Sequence, residues 1–467
     1  MKSLTINTIS IGVSDISVRL FNFIAITYLA RVLGPTNIGV LAVGMAILTY
    51  ASVICNAGLP MLGVRSIAAK TDSIQNLVNK ICSAQFLISI ITFVVGAGIL
   101  FLWIEEQTIR TVAIIYLITL FPSSLMLEWL FQGLNKIKTL AIGQIIGMAV
   151  YVLFIIGIVS NENDIYWVPF AWCFGFLIKS IYFWIKYKKL KSRGNNNKQP
   201  LHLIDIIKQG APLGIASIIS QVVIQFPIIY LGFFDTTENT GLYSVAFRVV
   251  VLMLVIDRVF YTLFFPAVSQ SFKNSMEHLK ERVIWTLKIV TTSSLYFAML
   301  ALMAGRDLLP IIFGPEFRDS GLIFQILLGY FVLTIINSVF TFTLIGIEKE
   351  RLYTKSLIIG AMAFVAIIFC PFSLSATIMA PIALAVQQAV SMLMMMYYFR
   401  KYKFTNLFFR VFLPLLVAIT FATFVIYWQP LYPILVFITT AVLSLPTIAV
   451  ASGINRNDLS VLKGLLK

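Results

Sequence analysis

The sequence predicts an all-α polytopic membrane protein of about fourteen transmembrane helices, and three observations carry that expectation. Of the 467 residues, 59% are hydrophobic and only 12% charged, with a mean hydropathy of +0.94. A water-soluble core of this size cannot use so much apolar surface. The apolar residues come in blocks close to the roughly 20 residues with which a helix crosses about 30 Å of hydrocarbon. The basic residues fall between those blocks.

In chain order the blocks lie near 8–30, 38–58, 80–103, 110–131, 139–159, 166–185, 210–233, 241–266, 284–304, 321–345, 353–371, 374–398, 409–428 and 431–452. Only Pro371 and the polar stretch Ser373 to Thr377 divide the eleventh from the twelfth. Charge tests the count, because cytoplasmic loops are enriched in Lys and Arg. With both termini cytoplasmic, inner segments hold 27 of the 35 basic residues, whereas outer connections hold Arg31, Arg110, Arg306 and Arg318 beside nine acids. Six of the seven tryptophans fall near block ends, where an amphipathic ring prefers to sit, and Trp172 alone looks internal. The net charge of +16 is therefore read as facing membrane lipid, with no nucleic-acid partner. Cys55, Cys82, Cys173 and Cys370 lie singly in apolar blocks, and His202 and His278 lie in polar connections. Neither a disulfide framework nor a metal site is readable from them. Asp15 and Arg19 interrupt the first block and no small-residue cleavage pattern follows, which argues against a cleaved signal peptide.

Two registers of internal similarity point to a duplication. At an offset of 202, Gly12, Ile16, Tyr28, Leu29, Asn37, Gly39 and Val43 match Gly214, Ile218, Tyr230, Leu231, Asn239, Gly241 and Val245. At an offset of 213, Gly133, Lys136, Ile146 and Gly147 match Gly346, Lys349, Ile359 and Gly360. Six spans precede the second copy, so both copies cross the bilayer in the same direction, a parallel repeat with a cavity expected between its halves. The expected organisation is a first lobe over 1–200 that ends in a basic cytoplasmic linker, a second lobe over 201–404, and two extra helices with a tail over 405–467.

The run Tyr28-Leu29-Ala30-Arg31-Val32-Leu33-Gly34, followed by Gly39, resembles the first-loop signature of the polysaccharide (Wzx-type) flippases, in the superfamily that also holds MATE drug exporters and MurJ lipid II flippases. Tyr230 to Tyr243, Gly58-Leu59 with Arg65, Gln132-Gly133 with Lys136, and Phe313-Gly314 with Phe317 are similar to the same family. The resemblance implies two six-helix lobes in a V around a central cavity, alternating access between the membrane faces. It implies as cargo a glycan linked through diphosphate to undecaprenol, with polysaccharide polymerase or ligase machinery as further partners, in the bacterial cytoplasmic membrane.

A charge inside hydrocarbon costs several kcal/mol unless it faces protein or water, so each is a functional candidate. Asp15 and Arg19, four apart on one helical face, are read either as a self-neutralising pair or as a phosphate-binding cation with its orienting acid. Arg248 lies about two turns below Gly241, too deep for a loop charge. Asp257 and Arg258 point about 100° apart, so one or the other of them is expected to serve packing with a neighbour. Arg31 and Arg65 stand at block ends, where snorkelling competes with a cavity role. Lys179 and Glu128, within two turns of the cytoplasmic end, are read as interfacial. Gln221 and Gln225 form a polar face that either contacts sugars or joins helices. Arg19, Arg31, Arg65, Arg248 and Arg258 are thus the candidate cavity cations, since a guanidinium offers forked donors to phosphate oxygens. Asp15 and Asp257 are the candidates for a coupling proton or sodium ion; no cofactor is expected.

Rival readings are a MurJ-like lipid II flippase and a MATE-type exporter. The first expects charges on the second helix, yet Val32 to Val64 is uncharged. The second expects an acidic or aromatic cavity, whereas the deep residues count more Arg than Asp. A polymerase or ligase needs a large catalytic outer loop, but the longest here, about Gly305 to Ser320, lacks His and any nucleophile–base pair. The chain is therefore not expected to be an enzyme.

Overall fold

The computed structural model describes residues 2–69, 73–190, 221–370, 374–401, 404, 407–428 and 433–454, without the side chains of 2–16, 258, 259, 261–263, 266, 273, 274, 306, 433–435 and 437. Among them no strand occurs, and ten helices are long and apolar enough to cross a membrane. The chain is an all-α, multi-pass membrane protein. It forms two compact units, Met1–Ser244 and Val245–Lys467.

Two departures from the fourteen expected blocks have local reasons. The first two blocks, expected with a loop between them, both lie in α1 (Lys2–Asn56), which breaks at the single residue Gly34 (φ 74°, ψ 173°). Positive φ suits a residue without Cβ, and Pro35, with fixed φ and no N–H, suits the first turn of the second arm. Asn37 Nδ2 donates back to the Leu33 carbonyl at 3.1 Å, closing the break.

The fourth block is divided into α4 (Gln107–Ile118), α5 (Leu120–Ser124) and α6 (Glu128–Gly133). Pro122 has no N–H to give, and Ser123 and Ser124 turn their hydroxyls onto the carbonyls of Leu120 and Phe121 at 2.9 and 2.8 Å. The Leu125 carbonyl left over at the break accepts from Trp184 Nε1 at 2.8 Å and Ser180 Oγ at 3.3 Å. Lipid offers no such donors, so broken backbone survives at this depth only beside protein. The seventh block is described from residue 221 onward, as α9 (Gln221–Phe234), and the helix of the fourteenth runs from Pro433 to Ala451.

In the first unit, α2 (Leu59–Ala69), α3 (Ile74–Trp103), α7 (Ile137–Ile158) and α8 (Trp167–Lys188) complete the bundle. There α1 packs on α3, α4 and α7, α7 on α8, and α2 on α6. After α10 (Thr237–Met253) the second unit holds α11 (Val255–Asn274), α12 (Met276–Phe313), α13 (Ser320–Gly346), α14 (Glu350–Ile368), α15 (Ala376–Arg400), α16 (Leu407–Trp428) and α17 (Pro433–Ala451). Its centre is α13, packed on α11, α12 and α15, while α16 and α17 lie together on α12.

The repeat is visible in backbone detail. After α6, the N–H of Asn135 reaches the Gln132 carbonyl at 3.0 Å and that of Lys136 reaches Phe131 at 2.8 Å; after α13, Glu348 reaches Ile345 at 3.0 Å and Lys349 reaches Leu344 at 2.8 Å. Both turns are Schellman caps, with Asn135 (φ 55°) and Glu348 (φ 60°) in the left-handed position 213 residues apart. One residue pair of that register sits equivalently against the next helix. A Cβ on Gly147 would lie 3.1 Å from the Gly175 carbonyl of α8, and one on Gly360 would lie 2.7 Å from the Gln387 carbonyl of α15.

The other register makes a self-complementary contact inside the first unit. A Cβ on Gly39 would fall 1.7 Å from the Thr237 carbonyl oxygen, and one on Gly241 would fall 1.9 Å from that of Pro35. Pro35 and Thr237 are themselves 202 apart, so the second arm of α1 and the start of α10 meet backbone to backbone as though about a two-fold axis.

Candidate substrate-binding site

Polar groups collect at two places within the apolar bundles. In the first unit α7 and α8 touch at Gly147 and Gly175, and beside this crossing lies a cavity of about 190 Å³. Gln144, Met148 and Tyr151 of α7 line it at helical spacing, as do Trp172, Phe176 and Lys179 of α8, with Val18 of α1. The small residues let the helices meet, and the longer side chains a turn away hold them apart. The Tyr151 and Trp172 rings meet edge to face, 5.0 Å between centroids at 89°. Lys179 Nζ lies 5.1 Å over the Phe176 ring and forms an ion pair with Glu128 in the first turn of α6. The Lys179 side chain is only 14% exposed and that of Glu128 31%. Burial requires the partner, because an unpaired charge there would lose hydration without return.

The second unit holds an uncharged polar stripe on α13 facing one acid. Asn337 Nδ2 donates to Gln388 Oε1 of α15 at 2.7 Å, and Ser338 Oγ donates to the Thr334 carbonyl at 3.1 Å. Tyr330 reaches Thr334 and Gln388. Asp257, in the first turn of α11, faces the Ser338 hydroxyl. Two acceptor oxygens, Asp257 Oδ1 and Asn337 Oδ1, are buried with no hydrogen-bond partner among the described residues. Such oxygens are costly in a low dielectric unless a proton or cation joins them.

Arg19 is half-buried on α1, next to Val18 of the cavity wall. Arg248 is half-buried on α10, between buried Phe247 and Val249. Arg31, one turn before Gly34, and Arg65, on α2, are exposed. Gln221 is exposed and Gln225 half-buried on α9. The side chains of Asp15 and Arg258 lie outside the described residues. The sequence reading missed Gln144, Tyr151, Asn337 and Gln388. The signal for the first cluster was the one internal tryptophan, with Gly175, Phe176 and Lys179 on the same face at i+3, i+4 and i+7. For the second it was Tyr330, Thr334, Asn337 and Ser338 on one stripe of a largely apolar helix.

Residues 4–272 match the family described as polysaccharide biosynthesis protein. The chain belongs to that family. Two relatives described as putative O-antigen transporters agree. The one from Shigella dysenteriae is 25% identical over 354 residues, 73% of this chain and 86% of its own. The one from Escherichia coli K12 is 22% identical over 407 residues, 85% and 96% of the two chains. Among solved structures, the lipid II flippase MurJ in an inward closed conformation superposes with a TM-score of 0.69 at 13% identity, covering 97% of this chain and all of MurJ. An inward-facing MATE multidrug transporter of the MOP superfamily superposes with a TM-score of 0.65 at 14% identity, covering 85% and 99%. This family member thus has the MOP transporter fold, as its first-loop motif led one to expect.

Proposed function

We propose that this protein is a flippase that carries undecaprenyl-diphosphate-linked oligosaccharide repeat units, the precursors of O-antigen, capsule or exopolysaccharide, from the cytoplasmic to the outer leaflet of the bacterial inner membrane by alternating access. Membership of the polysaccharide biosynthesis family, with relatives described as O-antigen transporters across most of the chain, is the observation that carries this reading. A diphosphate bearing sugars cannot cross hydrocarbon unaided, since its charges and hydroxyls would lose water with nothing in return. The half-buried guanidinium groups of Arg19 and Arg248 offer forked donors to phosphate oxygens, with Arg258 a further candidate. The polyprenyl tail stays in lipid. Release then needs a second conformation in which the same cations face the other leaflet and hold the cargo less well. Both termini lie in the cytoplasm on the distribution of Lys and Arg. Transport is the whole activity in this reading, with polymerase or ligase acting afterwards on the delivered lipid.

Asp257 takes the coupling proton or monovalent cation. What supports this is Asp257 Oδ1, buried with no hydrogen-bond partner among the described residues, beside the polar stripe of α13 at Ser338. A coupling ion must bind in one conformation and leave in the other, which an acid at the foot of α11, just past the Leu254 break from α10, is placed to allow.

The test is a clean deletion followed by lipid extraction and mass analysis. Undecaprenyl-diphosphate-linked repeat units should accumulate on the cytoplasmic side, and Arg19→Ala or Arg248→Ala should reproduce this at normal protein level. A lipid II build-up with lysis would establish the MurJ-like reading instead, which complete coverage of MurJ favours as the second choice. Altered drug sensitivity alone would establish an exporter.

A further inference from the structure

The cavity beside the Gly147–Gly175 crossing contains none of the arginines assigned to the diphosphate. Resting on the transport reading above, we propose that it is a subsite for one sugar ring of the glycan.

Size limits the occupant first. At about 190 Å³ the cavity suits a single small ring. Drug-sized ligands use pockets of about 300 Å³ and above. Chemistry limits it further. Tyr151, Trp172 and Phe176 present aromatic surface, while Gln144 and the paired Lys179 add amide and ammonium groups. On α7 and α8 these follow one gradient: Gln144 and Lys179 sit one turn to one side of the glycine crossing, and Tyr151 and Trp172 lie on the other. A sugar ring is amphipathic in the same way, with C–H faces that lie on aromatic rings and hydroxyls that need donors and acceptors. An acyl chain would use the aromatic surface alone.

Charge separates this subsite from a phosphate site. Glu128 neutralises Lys179, so the pair offers hydrogen bonds without a net field and would hold a phosphate poorly. The division of labour is then physical: guanidinium groups for the diphosphate, and an aromatic, charge-balanced recess for a hydroxylated ring. The residues that set which sugar is accepted are accordingly Gln144, Tyr151 and Trp172, and they are expected to vary with the polymer made.

The test uses the full-length protein in detergent, with Cys55, Cys82, Cys173 and Cys370 replaced by alanine and Met148→Cys added in the cavity wall. An uncharged, water-soluble maleimide labels the new thiol with or without the repeat-unit oligosaccharide released by mild acid from the host cell's own surface polysaccharide. The oligosaccharide should slow labelling roughly tenfold at about ten times its Kd, sorbitol at the same concentration should not, and Gln144→Leu should remove the protection. Equal rates with and without oligosaccharide, in protein that still prevents precursor accumulation in cells, would overturn the subsite and leave the flippase reading intact. Protection in a protein whose deletion causes no precursor accumulation would do the reverse. Should the cysteine variant not fold, saturation-transfer NMR of the same oligosaccharide on unmodified protein decides: transfer to ring C–H protons that is lost in Trp172→Phe supports the subsite, and transfer unchanged by that variant refutes it.

Discussion

Replacing Gly39 by alanine tests whether the repeat was built around a backbone contact. The added methyl would stand 1.7 Å from the Thr237 carbonyl oxygen and 2.9 Å from Gly241 N. Carbon atoms do not come closer than about 3 Å to such an oxygen, so the second arm of α1 and the start of α10 must part by more than about 1 Å. Neither neighbour is a side chain that can swing away. Overpacking typically costs about 1–3 kcal/mol, and rigid backbone on both sides puts this case at or above the upper figure. Gly241→Ala, the matching position 202 residues on, should cost a similar amount, because its Cβ would fall 1.9 Å from the Pro35 oxygen. Gly98→Ala is the control: nothing lies within 4 Å of its Cβ, and removing a mid-helix glycine should stabilise by roughly 0.5–1 kcal/mol. The assay is thermal unfolding followed by fluorescence-detected size exclusion in a single detergent, with all three variants beside wild type. Gly39→Ala and Gly241→Ala melting with wild type, or Gly98→Ala falling with them, would refute the reasoning.

Three other outcomes follow from single observations. Glu348 occupies a left-handed position (φ 60°) that costs a residue with Cβ roughly 1–2 kcal/mol, so Glu348→Gly should raise the melting temperature, whereas Gly at Asn135 should gain less. Lys179→Ala leaves the Glu128 carboxylate half-buried and unpaired, and should destabilise more than the double change Lys179→Met with Glu128→Gln; breaking fully buried pairs costs about 3–5 kcal/mol, and the partial exposure of this pair places it below that range. Asp257→Asn should abolish the response of translocation to an imposed proton or sodium gradient in proteoliposomes while leaving downhill exchange; a variant that still responds would remove Asp257 from coupling.

Much of this protein was legible because the bilayer is a severe solvent. Apolar block length, basic loops and tryptophans at block ends follow from transfer free energy one segment at a time, and each can be read without knowing what packs on what. The duplication was legible for a related reason: glycines at close backbone contacts tolerate few replacements, so Gly39 with Gly241 and Gly147 with Gly360 stayed recognisable. Where a helix breaks was less legible: the run Pro122 to Ser124 becomes a tight break beside Trp184 and Ser180, which satisfy the Leu125 carbonyl.

The sites divide along the same line. From sequence, Arg19, Arg248 and Asp257 stand out as charges in hydrocarbon, a property of each residue alone. The pairing of Lys179 with Glu128, the recess between α1, α7 and α8, and the approach of Asp257 to Ser338 and of Asn337 to Gln388 depend on side chains that are distant in the chain. Neutral polar and aromatic residues in a membrane helix cost too little individually to announce themselves. Tertiary packing alone decides which of them share a cavity and which merely join two helices, because hydrogen bonds and contact surfaces reach only a few ångströms.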